Sequence, residues 1–228
     1  MTEITTNQVT QALVLARGIE NAQSPYAGTV RWDSAGSGDS YDRAVAIAMY
    51  ADTHPELERV AFVNRYSFTM PKYARPKNTE AEAMADVARQ EGLDEEKIVI
   101  GNETQSSLGG LAEAVRKRLI VPKIALLLVA HDNHIERIME YAELALPGTP
   151  LKYLSTDNIN RTTHNTTVTR NDKIAATIYG HALRGVQPGD INAIERADKR
   201  VQSYFAPFVA ARGIIGARAA RKLQRQVT

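Results

Sequence analysis

One stretch of the sequence constrains the fold more than any other, residues 123–144, KIALLLVAHDNHIERIMEYAEL. It begins with an uninterrupted apolar run from Ile124 to Ala130. Such a run is typical of a strand that is buried on both faces, as in a parallel sheet. Beyond four polar residues, apolar side chains recur at the spacing of a helix, at Ile135, Ile138, Met139 and Ala142. The stretch therefore predicts a buried strand that passes almost directly into a helix.

The four polar residues at this junction are His131, Asp132, Asn133 and His134. In an open α/β sheet, such a junction lies at the carboxyl edge of the sheet, where ligands bind. Asp132 and Asn133 are good candidates for the N-cap of the helix. His134 and Arg137 should share one face of its first turn. A polar ligand site is the functional interpretation, and a hydrogen-bonded surface histidine is the alternative.

The two histidines at the junction do not predict a metal site. His131 and His134 have the spacing of a ligand pair, but no third histidine, cysteine or carboxylate follows at a diagnostic distance. The chain has no cysteine, which excludes disulfides, thiolate ligands and a cysteine nucleophile. We therefore expect no metal at this site.

Apolar runs and helical patterns alternate along most of the chain. Further strands are predicted at 12–16, 59–64, 97–100 and 151–154, and helices at 40–50, 78–92 and 108–119. Strands and helices that alternate in this way form a parallel sheet with right-handed crossovers. The predicted fold class is α/β, a Rossmann-like, doubly wound, mainly parallel sheet with a helical C-terminal extension. The dinucleotide fingerprint, the P-loop and the nucleophile elbow are all missing from the sequence.

The pattern divides the chain into a Rossmann-like domain at 1–155 and a mostly helical extension at 156–228, with helices expected at 172–183 and 188–205. From Glu195 onward the chain has eight Lys and Arg residues and only two acidic residues, a net charge of +6. Because the whole chain carries +2, the rest of it carries −4. A solvated helix, or one docked on its own fold, explains such a basic tail most simply. An acidic partner, an anionic membrane surface, nucleic acid or a second subunit are the alternatives.

Composition indicates a soluble globular protein with a real core. Of the 228 residues, 43% are hydrophobic and 24% are charged, which are ordinary proportions for such a protein. No apolar run approaches the length of a transmembrane helix. The N-terminal segment lacks the basic and apolar regions of a secretory signal. A cytoplasmic location is therefore expected, and the sequence does not indicate an oligomeric state.

Two motifs resemble those of a bacterial family. The first, NTEAEAMADVARQEGLDEEKIVIGNETQSS, has the family's Glu-Ala helix start, a methionine, a Gly-hydrophobic turn, a strand followed by glutamate, and a serine. The matching residues are Glu80, Ala81, Met84, Gly92, Leu93, Ile98, Ile100, Glu103 and Ser106. The second motif, VAHDNHIERIMEY, carries the family's histidine and arginine at His134 and Arg137. Over residues 10–154 the chain resembles the family of YdcF, SanA and ElyC, which is grouped as a domain of unknown function.

The chain departs from the family pattern at its turns. The family usually carries glycine-rich turns after its first two strands, where this chain has residues 16–18, Ala-Arg-Gly, and residues 64–66, Asn-Arg-Tyr. The Thr-Ser before the family's histidine is here Ala130-His131. The resemblance implies a Rossmann-like sheet with a polar pocket at the strand ends. Family members are linked to envelope biology, and one is reported to bind S-adenosylmethionine.

The resemblance and the chemistry of the residues together predict one pocket at the carboxyl edge. His134 and Glu103 are its predicted acid/base residues. The predicted ligand contacts are Glu80, Arg137, Ser106, Gly18, His131 and Arg43, the last of which matches an arginine-containing helix of the family. In the structural alternative, Glu80 only caps a helix and Glu103 pairs with Arg137.

The expected ligand is a small anionic or nucleotide-like molecule, such as S-adenosylmethionine or a phosphorylated metabolite, because an arginine can clamp an anion. The sequence leaves three functions open. The protein could be a hydrolase or transferase that acts on this ligand, a non-catalytic module that senses it, or a scaffold that contacts nucleic acid through the basic tail.

Overall fold

The computed structural model describes residues 8–15, 39–65, 78–156 and 177–206 of the chain. Five strands and four helices alternate along it: β1 (Gln11–Leu15), α1 (Asp39–Thr53), β2 (Arg59–Val63), α2 (Glu80–Gln90), β3 (Ile98–Gly101), α3 (Ser107–Arg116), β4 (Leu126–Ala130), α4 (Asp132–Ala145) and β5 (Leu151–Ser155). A short 3-10 turn, Glu95–Lys97, precedes β3. Two further helices follow β5, α5 at 177–182 and α6 at 191–206. Every helix in these described ranges is too short or too polar to cross a bilayer.

All the strands are parallel and form one sheet in the order β3-β2-β1-β4-β5. The first strand is therefore the central one, and its Leu13 lies between Ala61 of β2 and Leu128 of β4. The chain builds the sheet outward from β1 in one direction through β3, then crosses back to add β4 and β5 on the other side. This arrangement confirms the predicted doubly wound α/β fold.

Two apolar cores cover the two faces of the sheet. Helices α1 and α2 supply one core, in which Ile47 and Met84 pack on Val14 and Phe62. Helices α3 and α4 supply the other core with α5 and α6, on the opposite side chains of the same strands. Because both faces are covered, the inner strands do not alternate between buried and exposed positions, as β1 and β4 show by being buried at every position.

Local hydrogen bonds explain where the helices begin. Thr79 starts α2 with a capping box, in which its hydroxyl accepts from the amide of Glu82 at 3.3 Å and the Glu82 carboxylate accepts from the amide of Thr79 at 2.7 Å. Ser106 caps α3 by accepting from the amide of Gly109. Helix α4 starts one residue earlier than predicted, because β4 ends at Ala130 and His131 already has the extended backbone of an N-cap.

The described part of the C-terminal extension packs on the sheet domain. Tyr179 of α5 and Ile194 and Val201 of α6 are buried in the same core as α3 and α4. An ion pair also joins α6 to α3, between Glu195 and Arg116 at 2.9 Å. Residues 157–176 and the tail at 207–228 lie outside the described residues, and with them most of the predicted basic segment.

Gln11 holds the amino edge of the sheet together across a separation of 110 residues. Its side-chain amide donates to the carbonyl oxygens of Val121 at 2.8 Å and Ile124 at 3.1 Å, and its oxygen accepts from the amide of Val121 at 2.7 Å. The side chain is buried, so these bonds replace water as the partners of the α3–β4 connection.

Replacing Gln11 by leucine should lower the free energy of unfolding by about 2 kcal/mol, because the three backbone groups lose their partners while the side-chain volume is kept. Urea unfolding would measure the change. The matched control is Gln8→Leu, since Gln8 is exposed, and its effect should stay within about 0.5 kcal/mol. Equal unfolding midpoints for the two variants would contradict the role assigned to Gln11.

Candidate functional site

Buried polar side chains are concentrated at the carboxyl edge of the sheet. They follow the ends of strands or occupy the first turns of the helices there, and they are Ser40, Asp42, Arg43, Asn64, Thr79, Glu80, Ser106, His131, His134 and Thr156. A polar group removed from water requires partners inside the protein or from a ligand. This edge is therefore the candidate functional site of the described structure.

The order of the strands marks one position at this edge. Between β1 and β4 the connections diverge, since α1 leaves β1 on one face and α4 leaves β4 on the other. In open α/β sheets, ligands bind in a crevice at such a switch point, to which helices on both faces present their amino ends. Amide groups at helix amino ends favour anions, which suits this crevice to a negatively charged group.

Helix α1 contributes three buried residues from its first turns. The Arg43 guanidinium donates to the carbonyl oxygen of Leu15, the last residue of β1, and is almost fully buried. Asp42 is buried beside it in the sequence, and Ser40 is 1% exposed. The Ser40 hydroxyl has no hydrogen-bond partner among the described residues. Of these three, the sequence pointed only to Arg43.

Helix α4 contributes two histidines and an arginine. The His131 Nδ1 atom lies 3.0 Å from the hydroxyl of Thr156, which links the ends of β4 and β5. The Arg137 Nη2 atom lies 2.7 Å from His134 Nδ1. Because a guanidinium can only donate, His134 Nδ1 must accept this bond, and the proton of the neutral ring is then assigned to Nε2.

Arg137 has no anionic partner among the described residues. It is half-buried in the first turns of α4, and its hydrogen bond goes to the neutral ring of His134. Within the described ranges, every ion pair involves other residues, and no carboxylate lies within 4.0 Å of this guanidinium. His134 and Arg137, which were predicted to share one face of α4, are thus hydrogen-bonded, and no described carboxylate compensates the charge of Arg137.

The end of β2 contributes two further buried residues, Asn64 and Glu80. Asn64 has a φ of 104°, in the left-handed region that a glycine would occupy without strain. Its amide donates to Gly101 and its carbonyl accepts from Ala81, so backbone bonds to both sides hold it there. Glu80 follows the Thr79 cap as the first residue of α2 and is 1% exposed.

Gly110 of α3 leaves room for the side chain of Asn64. A Cβ atom on Gly110 would lie 2.4 Å from the side-chain oxygen of Asn64, so any larger residue at this position would displace the asparagine. In the sequence, residues 64–66 stand where the YdcF, SanA and ElyC family usually has a glycine-rich turn. The positive φ explains why a glycine would suit the same position.

Glu103 lies apart from the histidines. Its carboxylate is exposed and pairs with Arg116 at 2.6 Å and Lys117 at 2.9 Å, and not with Arg137. Hydrogen bonds from Lys117 and Arg116 lower the pKa of Glu103. In the sheet, β3 is separated from β4 by β2 and β1, which is a distance of roughly 14 Å at the spacing of neighbouring strands. The structure therefore does not bring Glu103 to His134.

Ser106 faces the C-terminal helices. While its hydroxyl caps α3, it also donates to the Asp198 carboxylate of α6 at 2.6 Å. The same carboxylate accepts from the hydroxyl of Tyr179 at 3.2 Å and from the amide of Gln202 at 2.6 Å. Burial raises the pKa of Asp198, although these three hydrogen bonds oppose the rise. Ser106 and Asp198 thus form a buried polar joint between α3 and α6.

The sequence did not single out Asp198, although it contains a signal. Ile194, Ala197 and Val201 form the apolar stripe of α6, and Asp198 lies within that stripe at helical spacing. An acidic residue inside an apolar stripe indicates a buried carboxylate that requires donors from elsewhere.

Of the predicted site residues, Arg43 lies at the end of β1, and His131, His134 and Arg137 lie at the end of β4 and the start of α4. Glu80 lies at the same edge beside β2, Ser106 is engaged with α6, and Gly18 lies outside the described residues. In the described ranges, no three histidine, aspartate or glutamate side chains are grouped so that they could hold a metal ion. The chemistry available at the crevice is anion binding and proton transfer by an imidazole.

No protein-family model matches the chain, and neither a curated protein nor a solved structure is significantly similar to it.

Asp198 should make stability depend on pH. Because its pKa is raised in the folded protein, its contribution to stability is complete below the ordinary aspartate pKa, near 3.9, and is lost as the pH rises through the folded value. Asp198→Asn keeps a neutral side chain at every pH. We therefore expect the unfolding free energy of the wild type, relative to Asp198→Asn, to fall as the pH rises above the ordinary aspartate pKa.

Urea unfolding at several pH values would measure this difference. Asp52→Asn is the matched control, since Asp52 is exposed at the end of α1, and the difference between it and the wild type should be nearly flat over the same range. A difference for Asp198→Asn that rises with pH would mean that the hydrogen bonds outweigh burial.

Proposed function

We propose that the protein binds a small anionic, nucleotide-like ligand in the crevice between β1 and β4, with S-adenosylmethionine and phosphorylated metabolites as the candidate classes. One observation carries the proposal: Arg137 is half-buried at the switch point and no described carboxylate pairs with it. A cation in this position costs free energy unless an anion compensates it, and a bound phosphate or carboxylate would do so.

The opposite wall of the crevice supports the same ligand. Arg43 brings a second guanidinium to the end of β1, and the buried hydroxyl of Ser40 lacks a described partner at the start of α1. A ligand that spans the crevice would meet α1 on one side and α4 on the other. Anionic oxygens can accept from both walls, since both present donors.

His134 is the residue suited to catalysis. Its Nδ1 atom, which accepts from Arg137, carries the only basic lone pair of the neutral ring, and this lone pair becomes available to take a proton when Arg137 turns to the anion of the ligand. In a hydrolase or transferase it would act as the acid or base while Arg137 holds the anion. Glu103 has no part in this mechanism, because it is engaged with Arg116 and Lys117 near the β3 edge of the sheet. Membership of the YdcF, SanA and ElyC family belongs to the same proposal.

Arg137→Gln should weaken binding of the ligand at least tenfold, because a charge-assisted hydrogen bond contributes about 1.5–3 kcal/mol. Calorimetric titration of the full chain with ATP, S-adenosylmethionine and inorganic phosphate would measure the affinity. Arg89→Gln is the matched control, since Arg89 pairs with Asp86 and Glu95 at the other end of α2. Equal affinities for the two variants, or a wild type that binds none of the three, would reject the proposal.

His134→Ala should abolish turnover of whichever of the three compounds the wild type converts, while the fold persists. Chromatography would follow the product, and circular dichroism would follow the fold. His134→Gln tests the chemistry separately, because an amide can still accept from Arg137 but cannot act as acid or base. An unchanged rate in either variant would exclude the catalytic role, and saturable binding without product in the wild type would indicate a sensing module.

A further inference from the structure

Helix α4 carries a polar stripe that continues from the crevice toward the C-terminal helices. His134, Arg137 and Tyr141 stand three and seven residues apart, which places all three on one face of the helix. Tyr141 lies about 10 Å farther along the helix axis than His134. The stripe therefore leads from the carboxyl edge into the space between α4 and α5.

The hydroxyl of Tyr141 is buried without a partner. The residue is 5% exposed, and its oxygen makes no hydrogen bond to any described residue. Tyr179 of α5, whose ring centroid lies 5.6 Å from that of Tyr141, shows the usual outcome, because its own hydroxyl donates to Asp198. A buried hydroxyl that lacks a partner is unfavourable. The described residues therefore leave a cost at Tyr141 that a ligand could remove.

Arg137, four residues before Tyr141, also requires an acceptor for its hydrogen bonds. Neither group has an acceptor of negative charge among the described residues, and both are donors on one face. Asp198 does not serve them, because one of its oxygens accepts from Ser106 and Tyr179 and the other accepts from Gln202. Burial raises the pKa of Tyr141, and Arg137 opposes the rise, so the hydroxyl stays protonated and able to donate at neutral pH.

We propose that Tyr141 contacts the ligand, and that its hydroxyl and the Arg137 guanidinium donate to one oxyanion group held between α4 and α5. This inference rests on the proposed function and extends it, because it moves the anionic end of the ligand from the sheet edge to the C-terminal extension. The group requires at least two acceptor oxygens, which a phosphoryl or a carboxyl group supplies. Tyr179 packs against the ring of Tyr141 and orients it without contacting the ligand.

Two phenylalanine variants of the full chain separate this role from a structural one. Tyr141→Phe should bind inorganic phosphate five- to twentyfold more weakly than the wild type, with a melting temperature that is unchanged or higher, since it removes an unpaired hydroxyl. Tyr179→Phe keeps the ring that packs on Tyr141 but removes a donor to Asp198. It should therefore lower the melting temperature and leave the affinity for phosphate unchanged.

Calorimetry would give the affinities, with acetate in parallel at constant ionic strength to distinguish a phosphoryl from a carboxyl site. Wild-type affinity in Tyr141→Phe combined with weak binding in Arg137→Gln would overturn this inference and leave the proposed function standing. A melting temperature of Tyr141→Phe that falls as far as that of Tyr179→Phe would show that the hydroxyl already has a partner, which also overturns it. A wild type that binds neither phosphate nor acetate would overturn the shared oxyanion site.

Discussion

When helices cover both faces of a sheet, polar side chains can be accommodated only at the ends of its strands. In this protein β1 and β4 are buried at every position, and two separate apolar cores lie on either side of them. Most of the polar side chains that the described residues bury therefore lie at the carboxyl edge, where helix amino ends can satisfy part of their hydrogen bonding. The position of the candidate site follows from the burial of the sheet.

The elements of the fold could be predicted because their signals are local. An unbroken apolar run predicts a buried strand, and the run that ends at Ala130 does so within two residues of its observed start at Leu126. The cap at Thr79 and the pairing of His134 with Arg137 are likewise set by neighbours three residues apart. These features could be predicted because each depends on residues within a single turn of the chain.

The relative placement of the elements could not be predicted in the same way. Glu103 and His134 follow consecutive strands of the chain, which suggested that they converge, but β4 is added on the other side of β1 and separates them. The carboxylate that accepts from Ser106 and the ring that packs on Tyr141 both come from the C-terminal extension. These contacts join residues that are distant in the chain, and a pattern read along one segment contains no information about them.

The central position of the first strand has a consequence for how this protein is made. On the ribosome, β1 is made before either of its neighbours in the sheet. It can pair with β2 once that strand emerges, but its other neighbour, β4, begins only at residue 126. Until then the nascent chain carries an apolar strand with one open edge, a template for unwanted pairing. The Gln11 clamp on residues 121–124 can form only once that segment is available, so the sheet cannot reach its native order before its fourth strand has been made.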